Sequence, residues 1–470
     1  MSFFFLISVA GLLVVAKFLF LVPPKLSHLP RAPLLPLLFS YLSLEPEDER
    51  IRRIILPFAN EKGEPVVLVW AFGMWFVHII DYEVGIRIAM KDKTWVRQLP
   101  PQDLLFWKFV GHQNLVFTTG EEWKKHSRVV TSVFLRQPPI QDFVSVAQRL
   151  INAMDRDPNK TVPWDKLAKR VTIDILSITV LGNDIRALDW PDSPIPSTYN
   201  RCVAGLTAPP YIFLPFLDKY FPRKGIVNDA AYLREFFMDL IKEKATNPGN
   251  DLISLMLAEP SFSEQDVLDN VSLFFVAGHE TTAGALSSII YYFATHPEQQ
   301  EAARAEVCQV FTLKDSLDTN LIARMPFVFA CIQEAMRMNN PSNFTLPRSN
   351  SVPTTLGKYA IPPDTLMCFS MSGVHHLEKA WERHDIYNPE RFMDPNAGGT
   401  AFFGAGLRQC PARHFAMWEL RTITIMLLNE YKWSLPPGSA HKDKVQNSFS
   451  FSTNLNLPKD LFVTFERLQQ

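Results

Sequence analysis

The feature that most constrains this chain is a helical stretch in its middle. Ser263-Glu264-Gln265-Asp266 has the pattern of a capping box, in which a hydroxyl and an acid three residues apart satisfy the open end of a helix. The pattern predicts a helix over 264–295, roughly 45–50 Å long at 1.5 Å per residue. Its middle, Leu273-Phe274-Phe275-Val276-Ala277, is apolar all round. A helix without a polar face has to cross a core, so other elements must wrap it.

The chain can supply that core. It has 470 residues, of which 47% are hydrophobic. Length alone would allow about three domains. However, no linker rich in Gly or Ser divides the body, and no repeat or low-complexity tract appears. Lys plus Arg total 47 against 48 Asp plus Glu, so no basic excess favours nucleic acid and no charge run marks a disordered tail.

The body reads as mainly α with small β-sheets. Pro65 to Ala71 and Met74 to Ile80 are rich in β-branched and aromatic residues and predict two strands joined at Gly73. Asp81 then caps a helix to about Met90. Further helices are expected at 121–134, 140–154, 164–181, 230–245, 250–258, 297–311 and 326–338, with a last one from just after Cys410 to about Tyr431. Short strands are expected near 354–360 and 365–370, and the tail from Phe449 to Phe465 again reads as β.

The N-terminus is predominantly apolar from Phe3 to Val22, with one charge at Lys17. About 20 such residues span a bilayer as a helix. No charged side chain precedes the run, whereas Lys25 and Arg31 follow it. A cleaved signal would want the opposite arrangement. The reading is a single-pass anchor over 1–22 with the body in the cytosol, by the positive-inside rule. Pro23, Pro24, Pro30, Pro33 and Pro36 follow, and 23–38 is expected to be a stiff hinge before a domain over 39–470.

Five cysteines, an odd number without C-x-x-C pairs, argue against a disulfide framework or a Cys-rich zinc site. Four, Cys202, Cys308, Cys331 and Cys368, have the neighbours of ordinary buried residues. Cys410 lies in F-F-G-A-G-L-R-Q-C-P-A, residues 402 to 412. Gly404 and Gly406 allow close backbone approach to a flat ligand. Arg408 is placed to pair with a carboxylate. Pro411 and Ala412 are expected to open a helix whose free N–H groups and dipole stabilise a thiolate.

Phe403, Gly404, Gly406, Arg408 and Cys410 together resemble the haem-binding signature of the cytochrome P450 family, F-G-x-G-x-R-x-C-x-G. The departure is Ala412 in place of glycine. The resemblance runs from the N-terminal anchor to the last strands. It implies a triangular, mostly helical fold with small sheets and haem held by Cys410 as a thiolate. The implied reaction inserts one oxygen atom of O2 into a lipophilic small molecule by hydroxylation or epoxidation. The substrate would belong to specialised-metabolite, lipid or xenobiotic metabolism. Its two electrons come from NADPH through a flavoprotein reductase, with cytochrome b5 as a further donor, at the endoplasmic reticulum membrane. No G-x-G-x-x-G follows a strand here, so the flavin belongs to a separate partner.

Other segments fit the same family. Ala277-Gly278-His279-Glu280-Thr281-Thr282 resembles its oxygen-activation motif, with Glu280 and Thr281 as a proton relay. His279 is read as a bystander. Glu334 and Arg337 form E-x-x-R, and Pro389-Glu390-Arg391-Phe392 resembles P-E-R-F, implying a structural Glu334–Arg337–Arg391 network under the cysteine loop. Trp123 matches the family's propionate-binding helix, but the basic residue expected four positions on is Ser127, which leaves Trp123 and Arg128 as the candidates. Arg348, after Phe344-Thr345-Leu346-Pro347, resembles a second propionate-pairing arginine. The stretch 343–346, residues near 97–118 and the aromatic segment 194–226 resemble substrate-bordering and access regions. Lys124, Lys125, Arg128 and Arg413 would help dock an acidic reductase. An O2-independent isomerase or dehydratase, and a haem sensor without turnover, are the alternatives.

Overall fold

The computed structural model describes residues 20–71, 73–89, 95–156, 160–208, 211, 217–311, 316–394, 398–449 and 454–468. Among them are eleven helices of eight or more residues. They are α1 (Leu34–Leu42), α2 (Tyr82–Ala89), α3 (Gly120–Phe134), α4 (Ile140–Arg156), α5 (Trp164–Leu176) and α6 (Pro194–Leu206). The others are α7 (Lys224–Thr246), α8 (Glu264–Thr295), α9 (Pro297–Val310), α10 (Pro326–Met338) and α11 (Arg413–Glu430).

Helix α8 is the expected central rod. Ser263 Oγ accepts from Asp266 N at 3.1 Å, and Asp266 Oδ2 accepts from Ser263 N at 2.9 Å, which completes the capping box. Most of the helix is buried on every side, as its lack of a polar face demands. Helix α5 packs against it most extensively, and α7 and α10 also pack against it.

The strands form three small sheets. The largest has the order β1-β2-β8-β5-β3, from Val66–Ala71, Met74–Ile79, Leu366–Phe369, Arg348–Asn350 and Trp95–Arg97. β1 and β2 form the expected hairpin, with Trp70 opposite Trp75. β2 pairs parallel with β8, which brings the far end of the chain back to the N-terminal hairpin. β4 (Thr161–Pro163), β10 (Phe462–Arg467) and β9 (Tyr431–Ser434) make a second sheet, and β6 (Thr354–Leu356) and β7 (Tyr359–Ile361) a two-stranded ribbon.

Three expectations need correction. The proline-rich stretch 23–38 is docked on the body rather than serving as a spacer. Leu68 N donates to Pro30 O at 2.7 Å, Ala32 N donates to Leu68 O at 2.9 Å, and Leu26, Leu29, Ala32 and Leu37 are buried. Prolines without N–H groups suit such a sheet edge, and the residues between them supply the bonds and the apolar contacts. The cysteine helix opens at Arg413 with Ala412 as its N-cap residue, so Pro411 lies in the preceding turn. Most of the tail read as β is not strand. Among the described residues of the tail, regular strand is confined to β10, and 450–453 lie outside the described residues.

Residues 1–19, Met90, and Pro209, Pro210, Phe213 and Phe216 of the aromatic segment also lie outside the described residues. Among the described residues, no helix is long and apolar enough to cross a membrane.

Candidate active site

The cysteine loop is a tight backbone cradle. Gly404 and Gly406 have φ of +72° and +70°, a region that side chains disfavour, which is why glycine stands at both. Cys410 N donates to Phe403 O at 3.0 Å, and Gly404 N to Ala401 O at 3.1 Å, which closes the loop on itself. No heavy atom lies within 4 Å of where a side chain on Gly404 would begin, so the backbone presents an open face there. Burial pushes the Cys410 thiol up, while the Ala412 N–H and the Arg413 charge oppose that shift by favouring the thiolate.

Two arginines, Arg408 and Arg97, reach the 116–118 backbone, and a third, Arg348, is paired with Arg97 in the sheet. Arg408 Nη1 donates to Thr118 O at 3.1 Å, and its guanidinium lies 4.1 Å from the ring centroid of Trp123. Arg97 Nη1 donates to Val116 O at 2.7 Å. Arg348 sits directly opposite Arg97 in the antiparallel pairing of β5 with β3, so both side chains leave the same face of the sheet. Like charges so placed repel, and a dianionic group between them would offset the repulsion. Arg97 was not singled out in the sequence. Its only signal there was its place at the edge of the pocket segment 97–118.

Arg128 is not part of this cluster. Its side chain is 70% exposed and faces Glu259 at 3.7 Å. Five residues beyond Trp123, it points about 140° away around the helix. His126 is also turned elsewhere: its Nδ1 lies 2.8 Å from Asn270 Nδ2 and its Nε2 3.5 Å from Asp266 Oδ1, which ties α3 to α8.

On α8, the residues of the acid–alcohol pair have different surroundings. Glu280 is buried, and burial raises its carboxyl against the pull of the Lys169 charge. Thr281 is half-buried, and its Oγ1 donates to Ala277 O at 2.7 Å. Thr282 makes the same backward bond to Gly278 O at 2.8 Å. Ala277 is exposed and Val276, Gly278 and Thr281 are half-buried, whereas Phe275, His279, Glu280 and Thr282 are buried. Phe402, Phe403, Phe415, Met417 and Trp418 around the cysteine are likewise only partly covered, and pack on the core cluster that holds Ala283, Ala285 and Leu286 of α8.

Glu334 and Arg337 form a buried two-pronged pair, with Nε to Oε2 at 2.7 Å and Nη2 to Oε1 at 2.8 Å. Arg391 Nε reaches the same Glu334 at 3.3 Å, and Asn388 N donates to it at 2.9 Å. Arg337 Nη1 also donates to His375 O at 2.8 Å. The His375 ring accepts Ala401 N at 3.0 Å, at the start of the cysteine loop. A continuous path of polar contacts therefore joins the charged network to the loop. His375 was not picked out from the sequence, because a histidine doublet carries no signal of its own.

Residues 30–462 match the family model described as "Cytochrome P450". The chain belongs to the cytochrome P450 family. It is 26% identical to cytochrome P450 4F12 of Homo sapiens over 405 residues, covering 76% of this chain and 74% of that one. It is 24% identical over 447 residues to cytochrome P450 4c21 of Blattella germanica, covering 87% and 88%. The crystal structure of the cytochrome P450DA heme domain superimposes with a TM-score of 0.81 at 19% identity, covering 94% of this chain and 97% of that one, and shows the same fold. As a P450, this is a monooxygenase-family enzyme whose cofactor is haem with a cysteine thiolate ligand. The open glycine face, the arginine cluster and a cysteine at a helix N-terminus are the features such a group requires.

Proposed function

We propose that this P450 inserts one oxygen atom of O2 into a lipophilic small molecule, by hydroxylation or epoxidation, using electrons from NADPH through a separate flavoprotein reductase. The observation that carries the reading is the glycine cradle around Cys410, with Arg408 stacked on Trp123 beside it. Bound haem supplies the redox chemistry, in which two electrons and O2 leave one oxygen atom in the substrate and one in water.

The chain's own residues do the rest. Cys410 would hold the haem iron through its thiolate, and the Ala412 N–H and Arg413 would favour that charge. Arg408, Arg348 and Arg97 take the propionates, with Trp123 fixing the Arg408 plane. Glu280 holds a proton on the buried side of α8, and Thr281 passes it to the open side. Glu334, Arg337 and Arg391 keep the cysteine loop in place and do not touch the reacting atoms.

The setting is the endoplasmic reticulum membrane, with the body facing the cytosol. Supporting this, the outer side of α1 leaves Leu35, Phe39 and Leu42 exposed, downstream of the apolar run 3–22.

The test is the carbon-monoxide spectrum of the reduced protein. The wild type should absorb near the thiolate position, and Cys410→Ser should lose that band and NADPH-dependent turnover together. A spectrum typical of histidine ligation in the wild type would overturn the reading.

A further inference from the structure

Behind the acid of the relay lies a buried cluster that the reaction as described does not use. Tyr199 on α6 is fully buried, and its ring packs edge-on against His279 of α8, with centroids 4.7 Å apart and planes at 74°. It also packs against Phe275, one turn earlier on α8, at 4.9 Å. Its hydroxyl has no hydrogen-bond partner among the described residues. His279 Nδ1 lies 2.7 Å from Phe275 O, so that nitrogen carries the proton and Nε2 is left as an acceptor. Nε2 is buried and also without a partner. Glu280 follows His279 directly.

Helix α5 closes the other side. Thr172 Oγ1 donates to His279 O at 3.2 Å, and Leu176 fits against Gly278, where a side chain would begin 2.5 Å from its Cδ1. Lys169 lies one turn before Thr172 on the same face of α5 and acts on Glu280 as an opposite charge. Glu280 thus feels the Lys169 charge from one helix and acts through space on the Tyr199 hydroxyl of another.

A buried carboxyl that gives up its proton becomes a buried anion, which persists only if a donor and a counter-charge meet it. A buried hydroxyl without an acceptor is equally unsettled. The two needs are complementary, and the glutamate side chain has the torsional freedom to meet Tyr199, whereas the packed tyrosine ring does not. We infer that Tyr199 is a positioning residue of the relay: its hydroxyl donates to the Glu280 carboxylate each time that group has passed its proton to Thr281, with Lys169 supplying the counter-charge. Tyr199 transfers no proton itself. Burial keeps its hydroxyl protonated and so always a donor.

This rests on the assignment of Glu280 and Thr281 as the relay, and the experiment separates the two ideas. Reductase-supported NADPH oxidation is measured in H2O and in D2O, with and without dodecanoic acid as probe, together with the fraction of electrons released as hydrogen peroxide. The proteins compared are the wild type, Glu280→Gln, Tyr199→Phe and the double variant. Tyr199→Phe keeps the ring and its packing and removes only the unpaired oxygen, so a purely structural hydroxyl would leave these quantities unchanged and stability equal or higher. The expected result is a several-fold slower oxidation, an enlarged solvent isotope effect and more peroxide in Tyr199→Phe, with no further change when Glu280→Gln is added. If Glu280→Gln alters these readouts and Tyr199→Phe does not, the inference about Tyr199 is overturned and the relay stands. If neither variant alters them, the relay itself is overturned, and this inference with it.

Discussion

Arg408 lays its guanidinium 4.1 Å from the ring centroid of Trp123, joining the residue two before the cysteine to helix α3. A partly desolvated contact of this kind is worth about 1–2 kcal/mol. Arg408→Ala also abandons the Thr118 carbonyl and removes one of three cations facing the proposed propionates. Haem release into an excess of apomyoglobin should accelerate strongly in Arg408→Ala and less in Trp123→Leu. Arg408→Lys should fall between the wild type and Arg408→Ala, because it keeps charge but not the planar stack.

The Glu334–Arg337 pair is fully buried. Removing one member leaves an uncompensated charge, which costs about 3–5 kcal/mol. Glu334→Ala should therefore lower the urea midpoint and the haem content of purified protein together. Arg391→Ala, whose side chain reaches the same acid from a more open position, should do the same to a smaller extent.

Burial pulls the imidazoles of His78, His279 and His375 down from 6.5 to about 3. Between these values the unfolded chain binds protons that the folded protein refuses, so stability is lost as pH falls. The slope is up to about 1.4 kcal/mol per pH unit for each histidine. Unfolding free energies measured from pH 7 to pH 5 should fall steeply below about 6.5. His375→Gln, which retains an acceptor for Ala401 N, should flatten the slope by about one histidine's share.

The outer face of α1 carries Leu35, Phe39 and Leu42 at 77%, 70% and 84% exposure. Burial of such side chains contributes about 1.5–3 kcal/mol each. Protein lacking residues 1–19 should still bind phosphatidylcholine vesicles. Leu35→Glu with Phe39→Glu should weaken that partition by about tenfold or more. Equal sedimentation of both proteins with vesicles would remove the helix from the membrane contact.

Much of this molecule is legible along the chain because its signals are local. The capping box at Ser263 depends on residues three apart, and the bounds expected for α8 are those observed. The hairpin at Gly73 and the glycines before Cys410 are local in the same sense, since a positive φ is a property of one residue. What was misread or missed depends on partners distant in sequence. The proline-rich stretch 23–38 became part of the body because β1 offers Leu68 to Pro30 and Ala32, which no periodicity within 23–38 could reveal.

Helix geometry and tertiary packing together decided which cations share a site. Trp123 and Arg128 lie five residues apart on one helix, yet only Trp123 faces Arg408, because the turn of the helix sends Arg128 to Glu259. Arg97 and Arg348, some 250 residues apart, are brought level by one antiparallel register. The sequence by itself determined the family chemistry and the residues able to perform it, through short spacings that a helix or turn converts directly into geometry. The surroundings of Glu280 and the length of the path from Arg337 to Ala401 came from three-dimensional contact, because burial and charge pairing are properties of neighbours rather than of position along a chain.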